Sequence, residues 1–263
     1  MAIKPTITAY GGGQQQFPIF LNRFVTDYQY DKTERDFAKV INENVKRSPN
    51  GFFDLIGTNG EIIPQIVSAR KHQNKNAIGQ DNHTDISVVQ RNGRMFKINT
   101  KGSFAPIYSN GNLDAVFASA PAMTKRFLQI CITKYKALGF KDNQLITSGI
   151  PPIYAELRGE TNRKMVMGTP QIGGPIDFYF EGQPTGVYNE EQNSFNLDSS
   201  ILNAYNLSKT KFFYLVAQPP PVGDRFNYKA LDRKGMPIIH NQGRSVNLVD
   251  RSFVPAGSTV IRT

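Results

Sequence analysis

Asp85, Asn99 and Lys101 stand at the two open ends of one short segment, TDISVVQRNGRMFKINTKG, residues 84–102. A carboxylate, an amide oxygen and an ammonium brought to one spot could hold a divalent cation and steer a water molecule. Strand register decides whether they meet. Ile86 and Val88 form the apolar face of one strand, and Phe96 and Ile98 that of the next. A two-residue turn at Asn92-Gly93 would set Ile86 against Asn99 and mix the faces. A three-residue loop, Arg91-Asn92-Gly93, matches Ile86 with Ile98 and Val88 with Phe96, with Gly93 in the left-handed position such a loop needs. In that register Asp85 lies across from Asn99 on the same face, with Lys101 two residues on. Cross-strand Cβ atoms are about 5 Å apart, so the three groups are expected to converge.

The elements around the hairpin must place it. Residues 1–16, with GGGQQQ and little apolar content, read as a loose arm within a segment 1–30. A helix is predicted over 31–46, with Asp31 and Glu34 as a capping box and a stripe of Phe37, Val40, Ile41 and Val45. Strands follow at 52–57 and 61–67, joined by Asn59-Gly60, with Pro64 marking the second as an edge or broken strand. A second helix is predicted at 121–138, burying Met123, Phe127, Ile130, Cys131 and Leu138 and capped by Gly139. Short strands in PPIYAEL, PIDFYF and GVY follow. A third helix is expected at about 198–207, then a buried strand in FFYLVA, 212–217. Asp177 and Glu181 read as polar ends of a half-buried strand.

The order helix, three strands, helix, strand, with Asp85 at the start of one strand and Lys101 at the end of the next, resembles the PD-(D/E)XK, or restriction-endonuclease-like, nuclease superfamily. The chain departs from the motif at Asn99, which stands where the second acid should be. The resemblance implies an α/β fold: a restriction-endonuclease-like core with a central mixed sheet flanked by helices. It places that core at 31–217, with a β-rich insertion near 140–197 and a basic C-terminal extension, 218–263, packed on it. It implies Mg²⁺, with Mn²⁺ as a substitute, held by Asp85 and Asn99, and a catalytic set of Asp85, Asn99 and Lys101 joined by Glu34 from the first helix or by Glu61. It further implies hydrolysis of phosphodiester bonds in nucleic acid, DNA first, with Lys101 positioning the attacking water.

Composition points the same way. Lys and Arg number 31 against 21 Asp and Glu, a formal charge of +10, which favours a polyanionic partner. Arg70, Lys71, Lys75, Arg91, Arg94 and Lys97 are the expected nucleic-acid contacts. His83, two residues before Asp85, is placed to touch a substrate. With one cysteine there is no disulfide framework, and His72, His83 and His240 lack metal-ligand spacing, which leaves zinc out. No apolar run reaches membrane-span length and no signal peptide is read, so a cytoplasmic, nucleoid- or virion-associated protein is expected, with no membrane partner and homo-oligomers allowed. Two other functions fit the same residues: a nucleic-acid-binding protein on this scaffold that Asn99 has silenced, and a structural component of a nucleoprotein or virus particle.

Overall fold

The computed structural model describes residues 18–72, 82–101, 118, 120–217, 219–233, 235–240, 246–251 and 254–262, with side chains from 32 onward except 246–250. The expected arm at 1–16 and Lys75 lie outside them. The chain is α/β and divides into two compact units. One comprises Asn22–Ile107 and Val166–Lys211; the other comprises Met1–Leu21, Tyr108–Met165 and Phe212–Thr263. A single domain over 31–217 was the expectation. Instead the segment that interrupts the sheet-bearing unit begins and ends earlier than the expected insertion at 140–197, and residues 212–217 belong with the C-terminal stretch.

Helix α1 runs Pro18–Arg47, far longer than the helix expected to open at Asp31. Proline is at home in the first turn, where its missing N–H has no helical partner to lose, and no further Pro or Gly interrupts the run. Four strands follow: β1 (Phe53–Ile56), β2 (Ile62–Lys71), β3 (Ile86–Gln90) and β4 (Met95–Lys101). The same unit adds β6 (Phe178–Glu181), β7 (Gly186–Asn189), β8 (Ser194–Leu197) and β9 (Ser200–Asn203), and these eight form one mixed sheet in the order β7-β8-β1-β2-β3-β4-β6-β9. Residues 200–203 are therefore strand. The helix expected there is displaced to α4 (Ala204–Thr210), capped when the Asn203 side chain accepts the N–H of Asn206.

Phe37, Ala38 and Ile41 of α1 pack on one sheet face, against a core that includes Leu55, Ile66, Ile86, Val88, Phe96, Ile98, Phe178 and Phe180. The Phe37 and Phe180 rings lie 4.6 Å apart. Past the end of β1, the exposed edge of β2 is closed by α1. The Asn42 amide donates to the Ala69 carbonyl and accepts the Ala69 N–H, each at 2.9 Å, so neither backbone group is left unpaired.

β2 is central, between β1 and β3, although Pro64 was expected to make it an edge or to break it. The pairing with β1 shifts register here, and Gln65 takes a left-handed φ of 51° while its N–H bonds the Asp54 carboxylate at 2.8 Å. A bulge thus absorbs the residue that cannot donate.

The other unit holds α2 (Pro121–Ala137), β5 (Ile153–Glu156), β10 (Phe213–Ala217), β11 (Val246–Asp250) and β12 (Thr259–Arg262), the strands forming a sheet ordered β11-β10-β5-β12. Helix α3 (Gly159–Met167) precedes β6 in the chain. α2 ends before Gly139, whose φ is +91° as its capping role requires. It buries Phe127, Leu128, Cys131, Ile132 and Tyr135, a stripe rotated from the expected one, and Leu138 is exposed. β10 is buried throughout, as its apolar run demands, but in this smaller sheet and not beside β4. Among the described residues, no helix is long and apolar enough to cross a membrane.

Candidate functional site

The hairpin forms in the expected register, Ile86 opposite Ile98 and Val88 opposite Phe96, with Gly93 at φ +82°. One local irregularity changes what happens at its open end. The Asp85 N–H donates to the Ile98 carbonyl at 3.0 Å, and Ile98 is already the partner of Ile86. Two residues therefore oppose one, which is the arrangement of a β-bulge. Asp85 is carried off Asn99 and onto Thr100, whose N–H and Oγ1 both reach Asp85 Oδ2, at 2.7 and 3.3 Å.

Three charged groups gather around that carboxylate. Enclosure pushes the Asp85 carboxyl up to about 7; the Lys101 ammonium pulls it back, Glu34 adds to the rise, and the Thr100 hydrogen bonds oppose it. Enclosure lowers Lys101 in turn, while Asp85 and Glu34 hold its proton on. Lys71 Nζ, at the end of β2, pairs with Glu34 Oε2 at 3.0 Å. Glu34 sits one turn before Phe37 on the face of α1 that meets the sheet, so the helix stripe that builds the core also delivers the acid. Among the described residues, the carboxyl groups of Asp85 and Glu34 thus meet the ammoniums of Lys71 and Lys101.

Asn99 belongs to different surroundings. It is 2% exposed, its Nδ2 donates to the His83 carbonyl, and its Oδ1 has no hydrogen-bond partner. The convergence of Asn99 with Asp85 is therefore not what the bulge produces. Its amide instead ties down the turn that leads into Asp85. The other ties come from the last turn of α3 and the loop after it. The His83 N–H donates to the Ile172 carbonyl, Thr84 Oγ1 to the Gly173 carbonyl, and His83 Nε2 to the Val166 carbonyl at 3.0 Å, which Tyr179 OH shares at 2.6 Å. Burial pushes His83 down to about 4, against the hydrogen bond to Val166, and the ring is 5% exposed, so the neutral imidazole is packed inside and not presented at the surface. Gly168 and Gly173 have left-handed φ, and a Cβ at Gly168 would stand 2.5 Å from the His83 ring, so the loop closes on the histidine only because those positions are glycine.

The remaining expected residues divide. Glu61 lies in the turn before β2, roughly 30 Å along the strand from Lys71 by strand rise, and does not join the cluster. Lys71 serves Glu34 instead of standing ready for a phosphate. Arg91 and Arg94 sit at the closed end of the hairpin, over the rings of Phe52 and Phe96 at 4.9 and 4.3 Å. Arg70 and Lys97 are near the open end. Thr100, Tyr179 and the Gly168–Gly174 loop were not singled out from the sequence; the paired glycines of GTPQIGGP were the available signal.

Among the described residues, no three His, Cys, Asp or Glu side chains gather into a metal-binding group. Glu34 and Asp85 fit a magnesium-like ion in chemical kind, since such an ion keeps several waters and takes one or two protein carboxylates. Asn99 Oδ1 is a bare buried acceptor of the right kind, but its amide serves the His83 turn. No family model, curated protein or solved structure matches the chain.

Proposed function

We propose that the unit built on the eight-stranded sheet is a nuclease-like domain that hydrolyses phosphodiester bonds in nucleic acid, DNA first, with Mg²⁺ or Mn²⁺. The observation that carries this reading is the enclosed group of Asp85, Lys101 and Glu34, in which helix α1 contributes one carboxylate and the open end of the hairpin the other. Burying charged side chains costs several kcal/mol unless they are paired, and proteins concentrate such perturbed groups where chemistry needs them. The element order also supports the reading: helix α1, the antiparallel run β2-β3-β4 and, after a segment holding α2, β5 and α3, strand β6 parallel to β4. On this reading the last core strand is PIDFYF and not FFYLVA.

Asp85 and Glu34 would hold the cation, which supplies charge stabilisation for the phosphoryl oxygens and lowers the pKa of bound water. Thr100 fixes Asp85 Oδ2, leaving its other oxygen to act. Lys101 places a positive charge beside the carboxylates, where it orients a water or steadies the developing negative charge. The +10 chain favours a polyanion. A second reading, a catalytically silent nucleic-acid binder on the same scaffold, is favoured by one observation: Lys71 already pairs with Glu34, one of the two carboxylates a metal would need.

Cleavage of plasmid and single-stranded DNA with Mg²⁺ or Mn²⁺, for wild type, Asp85→Asn, Lys101→Met and Glu34→Gln, tests the proposal. Loss of at least about 100-fold in the first two variants is expected for groups that act in the transition state. Cleavage at the wild-type rate in both would remove the site. Salt-sensitive binding without cleavage in the wild type would select the silent binder.

A further inference from the structure

Strand alternation splits the end of β2. Lys71 turns toward α1 and Glu34, so Arg70 and His72 turn to the opposite face. There Arg70 stands across from Ser87, and Ser87 across from Lys97, giving a row over three adjacent strands. His72 Nε2 meets Ser87 Oγ at 2.7 Å. Burial lowers the proton affinity of His72, and Arg70 and Lys97 lower it further, which places both cations within electrostatic reach of the ring. Ser87 is 3% exposed, Lys97 and His72 are half-buried, and Arg70 is exposed, so the row runs from the surface inward.

Like charges gathered on neighbouring strands repel, and such a row is normally offset by acids. Among the described residues, no carboxylate forms an ion pair with Arg70 or Lys97. Asp177 is the nearest acid in the hydrogen-bond pattern, and its Oδ2 is taken by the Lys97 backbone N–H at 2.8 Å. Among the described residues, the Lys97 ammonium itself reaches the Gly174 carbonyl, at 3.5 Å. A guanidinium, an ammonium, an imidazole and a hydroxyl thus share one patch in which, among the described residues, two cations face the single neighbouring carboxylate of Asp177, leaving a net positive charge. Ser87 lies two residues along β3 from Asp85, but on the sheet face opposite α1 and Glu34, so the sheet separates a group held here from the carboxylate cluster.

We infer that Arg70, His72, Ser87 and Lys97 form an anchoring site for a phosphate of the nucleic-acid backbone, separate from the Asp85 cluster. The site rests on the nucleic-acid reading above but not on cleavage. Arg70 supplies the forked donor that matches phosphate oxygens, and Lys97 a point charge from the inner side. Bases are not read here, so binding through this site is indifferent to sequence.

The test is the salt dependence of binding to a fluorescein-labelled single-stranded DNA 20-mer, followed by anisotropy in EDTA so that no metal-dependent cleavage intervenes. Arg70→Gln/Lys97→Gln should weaken binding about tenfold near 0.1 M salt and flatten the slope of log K against log salt by about 1 to 2. Lys125→Gln/Lys134→Gln, on exposed residues of α2, removes the same charge elsewhere and should leave the slope unchanged. Arg70→Lys/Lys97→Arg keeps both charges and should keep the slope. Equal slopes for the two glutamine variants would overturn the site, as would a flattened slope in the charge-retaining variant, which would point to packing. Wild-type cleavage is measured separately in Mg²⁺. The expected slopes with an uncut substrate would leave this site standing and the hydrolytic reading refuted; cleavage with equal slopes would do the reverse.

Discussion

Replacing Asn99 with aspartate would restore the acidic motif that the sequence lacks, and a reader of sequence alone would expect a gain in metal binding. The structure predicts a loss. Asn99 is 2% exposed, and its Nδ2 donates to the His83 carbonyl. Asn99→Asp turns that donor into an acceptor facing an acceptor. If the new carboxyl stays ionised, an uncompensated buried charge costs about 3–5 kcal/mol. If it protonates, it can donate to the His83 carbonyl, and the cost is that of holding a proton above the usual aspartate value of about 3.9: about 5–6 kcal/mol at pH 8, but about 1.5 kcal/mol at pH 5. The group's folded-state pKa is raised, so the lost stability returns as pH falls. Urea unfolding followed by far-UV circular dichroism should therefore show Asn99→Asp destabilised by about 3–5 kcal/mol at pH 8 and by about 1–2 kcal/mol at pH 5. If the proposed hydrolysis holds, Mg²⁺-dependent cleavage should drop with it, because the turn that delivers Asp85 is loosened. A variant as stable as wild type at pH 8 that also cleaves faster would refute the positioning role of Asn99 and make it simply a missing acid.

His83, held near 4 in the fold, binds its proton first in the unfolded chain, so its contribution to stability is complete above about 6.5 and drains as pH falls toward 4. Asp85 acts in the opposite sense, since its raised pKa lets the folded state take up a proton as pH falls below about 7. Asp85→Asn removes that opposition, and its unfolding free energy should fall by about 1.4 kcal/mol per pH unit, about 3 kcal/mol in all, between pH 6.5 and 4; a flat profile in urea titrations would refute the burial of a neutral His83. Gly60 and Gly168 share a φ of +78°, but Gly60 has open space around a would-be Cβ and Gly168 has the His83 ring. Gly60→Ala should cost about 1 kcal/mol and Gly168→Ala at least about 3 kcal/mol, the difference being steric; equal losses in melting temperature would show that the loop does not close on the histidine.

Much of the hairpin is legible in the chain because its information is local. Alternation of Ile86, Val88, Phe96 and Ile98 leaves one register that keeps the apolar set on one side, and Gly93 supplies the turn that register needs. The stripe of Phe37 and Ile41 likewise reads as a buried helix face, and Glu34, one turn earlier, follows from helical geometry. The run FFYLVA announces burial by composition alone. What it cannot announce is which sheet it enters, since a wholly apolar strand fits any interior. Its partners, β5 and β11, lie roughly 60 residues before it and 30 after it in sequence.

The site divides along the same line. Residue type and spacing nominated Asp85 and Lys101, since an acid and a lysine at strand ends are visible without coordinates. A bulge that adds one residue opposite Ile98 is not, because no alternation of polar and apolar residues records it, and it moves Asp85 from Asn99 to Thr100. The centrality of a proline-bearing β2 was decided by the same kind of non-local fit: Gln65 gives its N–H to Asp54, and Asn42 closes the edge at Ala69. His83 reads from its place before Asp85 as a substrate contact, but the end of α3 and the loop after it, some 80 residues downstream, enclose it. Periodicity fixes which side a residue faces; only the folded chain decides what it meets there, because the free energy of a buried charge or amide depends on partners that sequence distance does not constrain.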